Sequence, residues 1–212
     1  MIKVNNINVF NFEGAIRGMR NPMNSWDKSD SGYFKMNGDY YIGENDLDLM
    51  RRLYKAGTEH RKYLRQIFVS MDIIAPDYWF KEFSTYKIGI VENSTSTMHK
   101  IVSKKFELTD FSFDYSDAID LCYADCIDSK LDNLNYLRDQ YLKTKDNRYW
   151  RLLIQELPMA YIYRRSVTMN YENVVTIIKQ RTGHKLEEWG KFVKILKDLP
   201  YIKEIITNYK DK

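Results

Sequence analysis

The chain has 212 residues, 44% hydrophobic, 29% charged and 15% aromatic, and 33 basic residues against 29 acidic ones leave a formal charge of +4. Its 17 Tyr, 10 Phe and 4 Trp are core material that a disordered chain lacks. No apolar run approaches the ~18 residues of a membrane span, and two cysteines make no disulfide framework. These bounds predict one domain in a reducing compartment, the cytoplasm, with no membrane partner. Asn5, Asn6 and Asn8 break up the first ten residues, which lack the apolar core of a signal peptide. Basic residues are interleaved with acids, which disfavours a nucleic-acid partner and leaves small anionic ligands in contention.

Ile2, Val4, Ile7 and Val9 alternate with polar residues and predict a first strand. Residues 11–44 follow as a long irregular loop, holding five of the nine glycines (Gly14, Gly18, Gly32, Gly38, Gly43), Pro22, Arg17, Arg20 and Trp26. Asn45 or Asp46 can cap a helix over 45–56 with Leu49, Leu53 and Tyr54 on one face, and a short polar helix is expected over 59–66. Residues 67–75 read as a buried strand stopped by Pro76, and 77–87 as an aromatic helix. Phe106, Leu108, Phe111 and Phe113 alternate imperfectly and suggest a second strand or hairpin arm. Residues 116–145 give the clearest helix, with Ile127, Leu131, Leu134 and Tyr141 on one stripe. Another helix leads to Leu157-Pro158, a strand covers 162–169, and helices cover 171–181 and 185–199. Strands and helices do not alternate steadily, so the expected class is α+β, a mixed or antiparallel central sheet with flanking helices.

Cys122 and Cys126 share a helical face, but nothing nearby completes a zinc site, and packing as small hydrophobes suits them better. His60, His99 and His184 are scattered, and no nucleophile elbow, Walker loop or dinucleotide fingerprint occurs. Ser94, Thr95, Ser96 and Thr97 form a run of hydroxyls after a helix end. Such a run can turn several donors onto one anion, with Lys87, Lys100, Lys104 and Lys105 as countercharge. A solvated loop accounts for the run equally well. Farther on, Arg164 and Arg165 lie in the strand before Asn170, and Arg181 ends the next helix, where a cation ordinarily complements the dipole.

In the order and spacing of these pieces, residues 45–196 resemble the flavin-dependent thymidylate synthases. Ala75-Pro76 matches the end of that family's strand before its hallmark, Arg-His-Arg-x-x-Ser-x-Asn-Glu-x-Ser-x-Arg-Tyr. Laid on without a gap, the hallmark puts Arg-His-Arg on Thr85, Tyr86 and Lys87, and Asn-Glu on Glu92 and Asn93. Its second Ser falls on Thr95, and its Arg-Tyr on Thr97 and Met98. Leu157-Pro158, Thr168-Met169-Asn170 and Arg181 match the downstream signatures, also without a gap.

The resemblance implies an α+β homotetramer that binds FAD and a pyrimidine deoxynucleotide. Its reaction would be of the dUMP-to-dTMP type, with methylenetetrahydrofolate and NADPH as co-substrates and hydride from the reduced flavin. It assigns flavin contacts to Thr85, Tyr86, Lys87, Asn93, Asn170 and Thr176. Nucleotide contacts fall to Glu82, Thr95, Ser96, Thr97 and Arg181, with Arg181 on the uracil edge as the catalytic candidate. Thr85 and Tyr86 cannot replace a guanidinium and an imidazole, and Thr97 removes a phosphate-binding charge. Flavin is therefore expected to bind weakly. The alternative is a nucleotide-binding homologue on the same fold, with catalysis altered or lost.

Overall fold

The computed structural model describes residues 1–36, 38–113 and 121–206. The strands are β1 (Lys3–Phe10), β2 (Gly32–Tyr33), β3 (Tyr40–Tyr41), β4 (Phe68–Pro76), β5 (Val91–Ser94) and β6 (Ile162–Asn170). The helices are α1 (Phe12–Arg20), α2 (Glu44–Lys55), α3 (Asp77–Phe83), α4 (Thr97–Lys100), α5 (Leu121–Thr144), α6 (Asn147–Glu156), α7 (Tyr171–Arg181), α8 (Glu187–Lys197) and α9 (Ile202–Ile205). A four-stranded sheet has the order β1-β4-β6-β5, and β2 pairs antiparallel with β3. The α+β class expected from the sequence is the observed one. The chain clusters into two compact units: Met1–Lys3, Ile73–Thr85 and Asn93–Arg165 in the first, Val4–Asp72, Tyr86–Glu92 and Ser166–Lys212 in the second.

The first unit is organised by α5 and α6, whose apolar stripes enclose Leu134, Leu137 and Leu153 together with Ile101, Phe106 and Phe111. Buried Asn135 fixes one edge of this cluster, accepting from the Phe106 N–H at 2.8 Å and donating to the Phe106 carbonyl at 3.0 Å. Satisfying both backbone groups lets Phe106 sit in the apolar cluster outside the sheet without stranding buried polar atoms. The expected strand through Phe106–Phe113 is replaced by a 3-10 turn at Leu108–Asp110 and a single antiparallel bridge, Phe111 to Tyr161. Glu107 and Asp110 cap that turn reciprocally, which diverts the chain. Trp79, Phe80 and Phe83 of α3 are fully buried, and the helix stops at Phe83 rather than running to Lys87. The first residues expected in the long helix, 116–120, lie outside the described residues, as does the Cys122 side chain. Cys126 is exposed rather than packed as a small hydrophobe.

In the second unit, residues 11–44 are not an irregular loop. α1 occupies 12–20 with Phe12, Ala15, Ile16 and Met19 buried, and 3-10 turns and the β2-β3 hairpin follow. Its glycines mark close packing: a Cβ on Gly14 would stand 2.4 Å from Asn11 Oδ1, and one on Gly18 would stand 2.4 Å from Gln66 Oε1. α2 is capped by Gly43 rather than by Asn45 or Asp46. The Asp30 carboxylate, brought in from outside the helix, accepts from the Asn45 and Asp46 N–H groups at 3.0 and 3.2 Å. Its buried face is Leu47 and Met50, with Leu49, Leu53 and Tyr54 half-buried. A 3-10 turn, Lys62–Arg65, stands in place of the helix expected over 59–66. α7 has the expected bounds, begins with a capping box between Asn170 and Asn173, and packs on α8.

Asp46 is the polar centre of this unit. Fully buried, its carboxylate accepts from Arg20 Nε, Ser29 Oγ and Ser31 Oγ, each at 2.6 Å, and from the Asp30 and Ser31 N–H groups at 3.2 Å. Burial alone would raise its pKa, but the donors of Ser29, Ser31 and Arg20 outweigh it and hold the carboxyl below its ordinary value.

Candidate functional site

A cavity of about 500 Å³ opens in the first unit. Its walls include Phe106, Tyr161 and Tyr163, with Ile74, Ile101 and Ile162, and its polar groups include Thr95, Lys100, Lys104 and Arg164. Local structure explains why these meet. The Thr95 N–H donates to the Arg164 carbonyl at 3.0 Å, so the hydroxyl run leaves β5 alongside β6. Ser96 then caps α4, its Oγ accepting from the His99 N–H at 3.2 Å, and the turn carries Lys100 to the cavity rim.

The cations differ in their commitments. Lys104 is paired with Asp110. Lys100 and Arg164 are exposed and form no side-chain hydrogen bond or ion pair among the described residues, and neither does the Thr95 hydroxyl. Thr97 donates its hydroxyl to Tyr163 OH at 3.1 Å, and burial pushes the Tyr163 phenol up. Tyr161 is raised for the same reason. Both rings stay neutral at working pH and add apolar wall with one polar tip each. Uncommitted cations and a hydroxyl beside aromatic walls are chemically able to hold an anion that carries a planar ring.

The second unit holds another part of the expected set. Arg181 donates from Nε to Tyr86 OH at 2.9 Å, and its guanidinium lies 4.5 Å from the Trp189 ring centroid. Asn170 Oδ1 accepts from the Asn173 N–H at 3.0 Å, and Asn173 Nδ2 donates to the Ile88 carbonyl at 2.8 Å. The Thr176 hydroxyl turns back onto the Glu172 carbonyl at 2.8 Å. In the first unit the Thr85 hydroxyl does the same onto Glu82 at 2.7 Å. Lys87 and Asn93 are exposed, with no side-chain partner among the described residues. Within the first unit, then, Thr95 lines the cavity while Ser96 caps α4 and Thr97 holds the Tyr163 hydroxyl, and Tyr86 and Arg181 meet in the second. Arg164 reads as no more than a strand residue in the sequence; the pairing of Thr95 with it explains why it lines the cavity.

No family model and no curated sequence matches the chain. Its fold is similar to that of thymidylate synthase X (ThyX) from Helicobacter pylori, in a crystal structure with FAD and dUMP. The TM-score is 0.68 at 17% identity, over 96% of each chain. A second structure of the flavin-dependent enzyme from that organism, also complexed with FAD and dUMP, gives 0.68 and 17% over 95% of this chain and 96% of the other. This defines the architecture as a ThyX-like α+β fold. Among the described residues no helix is long and apolar enough to cross a membrane.

Proposed function

We propose that the protein binds a pyrimidine deoxynucleotide in the first-unit cavity, with the phosphate against Arg164, Lys100 and Thr95 and the base among the tyrosines. The observation that carries this reading is the set of uncommitted donors lining an aromatic cavity of about 500 Å³, a size within the ~300–1,000 Å³ of small-ligand sites. Where the resembled family has a phosphate-binding Arg this chain has Thr97, and Arg164 and Lys100 supply positive charge at the cavity wall. Calorimetric titration with dUMP and with deoxyuridine tests the reading. Deoxyuridine should bind at least ~10-fold more weakly, since a charge-assisted phosphate contact contributes ~1.5–3 kcal/mol. Equal affinities, or no dUMP binding, would end it.

FAD is bound in the Helicobacter pylori structures of similar fold, and the side chains of this chain fit it poorly. Thr85 and Thr176 spend their hydroxyls on helix carbonyls, Asn170 caps α7 and Tyr86 holds Arg181. Lys87 alone offers an uncommitted charge at the former Arg-His-Arg positions. The favoured reading is thus a nucleotide-binding protein whose catalysis is altered or lost. A second reading, a flavin-dependent thymidylate synthase with weakly held FAD, using methylenetetrahydrofolate and NADPH, draws on intact Asn170 and Arg181 and on the FAD and dUMP of the Helicobacter pylori structures. Reconstitution with excess FAD separates the two: a shifted flavin absorbance band supports the second. A homotetramer in the cytoplasm belongs to both readings. Light scattering at the mass of one chain, 25.4 kDa, would remove the tetramer.

A further inference from the structure

A second cavity, of about 290 Å³, lies wholly in the second unit and shares no residue with the first. One wall is the face of α1 that carries Glu13, Arg17 and Arg20, and the others include Trp26, Tyr33 and Tyr40. We infer that this cavity is a binding site for a small aromatic anion, a planar ring of one or two cycles bearing a carboxylate or a phosphate.

The sign of the charge follows from what each group already touches. Glu13 is the carboxylate at the cavity wall, and it accepts from Tyr33 OH at 2.8 Å. Asp46 is saturated by five donors. Arg20, 4% exposed, uses Nε on Asp46 and Nη1 on the Ser25 carbonyl at 3.1 Å. Its Nη2 has no hydrogen-bond partner among the described residues. Arg17, one turn earlier and exposed, has no ion pair or hydrogen bond among them at all. Asp46 offsets Arg20 and Glu13 offsets Arg17 in formal charge, but the Arg17 guanidinium and Arg20 Nη2 keep donors that no acceptor among the described residues takes, and such donors select a ligand with anionic oxygens. A guanidinium fork matches the paired oxygens of a carboxylate or phosphate.

The ring follows from the aromatic walls. Trp26 is 51% exposed and Tyr33 57% exposed, although each is anchored at its polar end: Trp26 Nε1 donates to Asn21 Oδ1 at 2.8 Å, and Tyr33 to Glu13. Tyr33 also stands edge-on to Tyr40, with centroids 4.9 Å apart. Rings held by their tips with faces open to solvent are stacking surfaces. The volume admits a bicyclic ring with its substituent and is too small for a dinucleotide.

Calorimetric titration of the full chain with 1-naphthoate, 1-naphthyl phosphate and the neutral 1-naphthalenemethanol tests the inference, and the two anions distinguish a carboxylate from a phosphate ligand. At least one anion should bind saturably and at least ~10-fold tighter than the alcohol. Arg17→Ala should weaken it ~10-fold, Arg17→Lys less, and Trp26→Phe less than Trp26→Ala, with dUMP affinity unchanged throughout. Equal binding by wild type and Arg17→Ala, equal affinity for the three probes, no saturable binding, or displacement of the anion by dUMP would overturn a separate site here.

Discussion

The Asp46 centre and the cavity beside Arg164 each gather charges and hydroxyls, and they differ in what those groups touch. Asp46 is fully buried, and Arg20, Ser29 and Ser31 all point their donors at it. Around the cavity, Arg164, Lys100 and Thr95 are open to water and have no side-chain partner among the described residues. The first arrangement holds α1, α2 and the segment between them, with only Arg20 Nη2 left over at the second cavity. The second leaves donors that a ligand can take. The contrast separates charge that specifies the fold from charge available for recognition, and substitution should divide stability from binding along the same line.

The largest effect is expected at the buried centre. Asp46→Ala strands the Arg20 guanidinium and should cost ~3–5 kcal/mol in urea unfolding, as removal of one partner of a buried ion pair does. The same pair gives an acid limb. Because the folded-state pKa of Asp46 lies below its unfolded value, its stabilisation is complete above the unfolded pKa of about 4. It is lost as pH falls through the folded value. Asp46→Asn should remove that part of the acid transition, and an unchanged acid midpoint would show that Asp46 carries none of it.

At the cavity the balance reverses. Arg164→Ala should weaken dUMP ~10- to 100-fold, while stability moves by less than ~0.5 kcal/mol, the range of exposed substitutions. A loss of stability with dUMP affinity intact would invert the comparison. Arg181 falls between the two. Its hydrogen bond to Tyr86 and its place on Trp189 mean that Arg181→Ala should cost ~1–2 kcal/mol of stability even without ligand. Arg181→Lys should recover part of that. The smallest change is Thr95→Val, expected to weaken dUMP by ~2- to 10-fold through one neutral hydrogen bond.

Much of the fold is legible in the residues themselves. The apolar run before Pro76 became β4, and Tyr171–Arg181 is helical as expected, because Gly183 just past its end and the closing Arg are local signals. α1 escaped such reading because Gly14 and Gly18 look like loop residues, whereas they lie where the helix meets Asn11 and Gln66. Asp30 is a distant cap, and no local rule links it to Asn45. The candidate site divides in the same way. The hydroxyl run and Lys100 stand together in the sequence, but Arg164 reaches them only through strand pairing, and Tyr86 meets Arg181 only through tertiary packing.

The Asn173 side chain ties the start of α7 to a segment far back in the chain. Its Oδ1 accepts from the Asn170 N–H at 3.2 Å, closing the first turn of α7, while its Nδ2 holds the Ile88 carbonyl of the segment that carries Tyr86 and Lys87. One amide thus serves two tasks, and Gly89, at φ +78, passes so close that a Cβ there would stand 2.6 Å from Asn170 Nδ2. Release of that segment and fraying of the helix start become a single opening event. The backbone amides of Asn170 and Asn173 should therefore exchange with deuterium at the rate at which the segment lifts. They form a built-in clock for a motion some way along the chain from where it is timed.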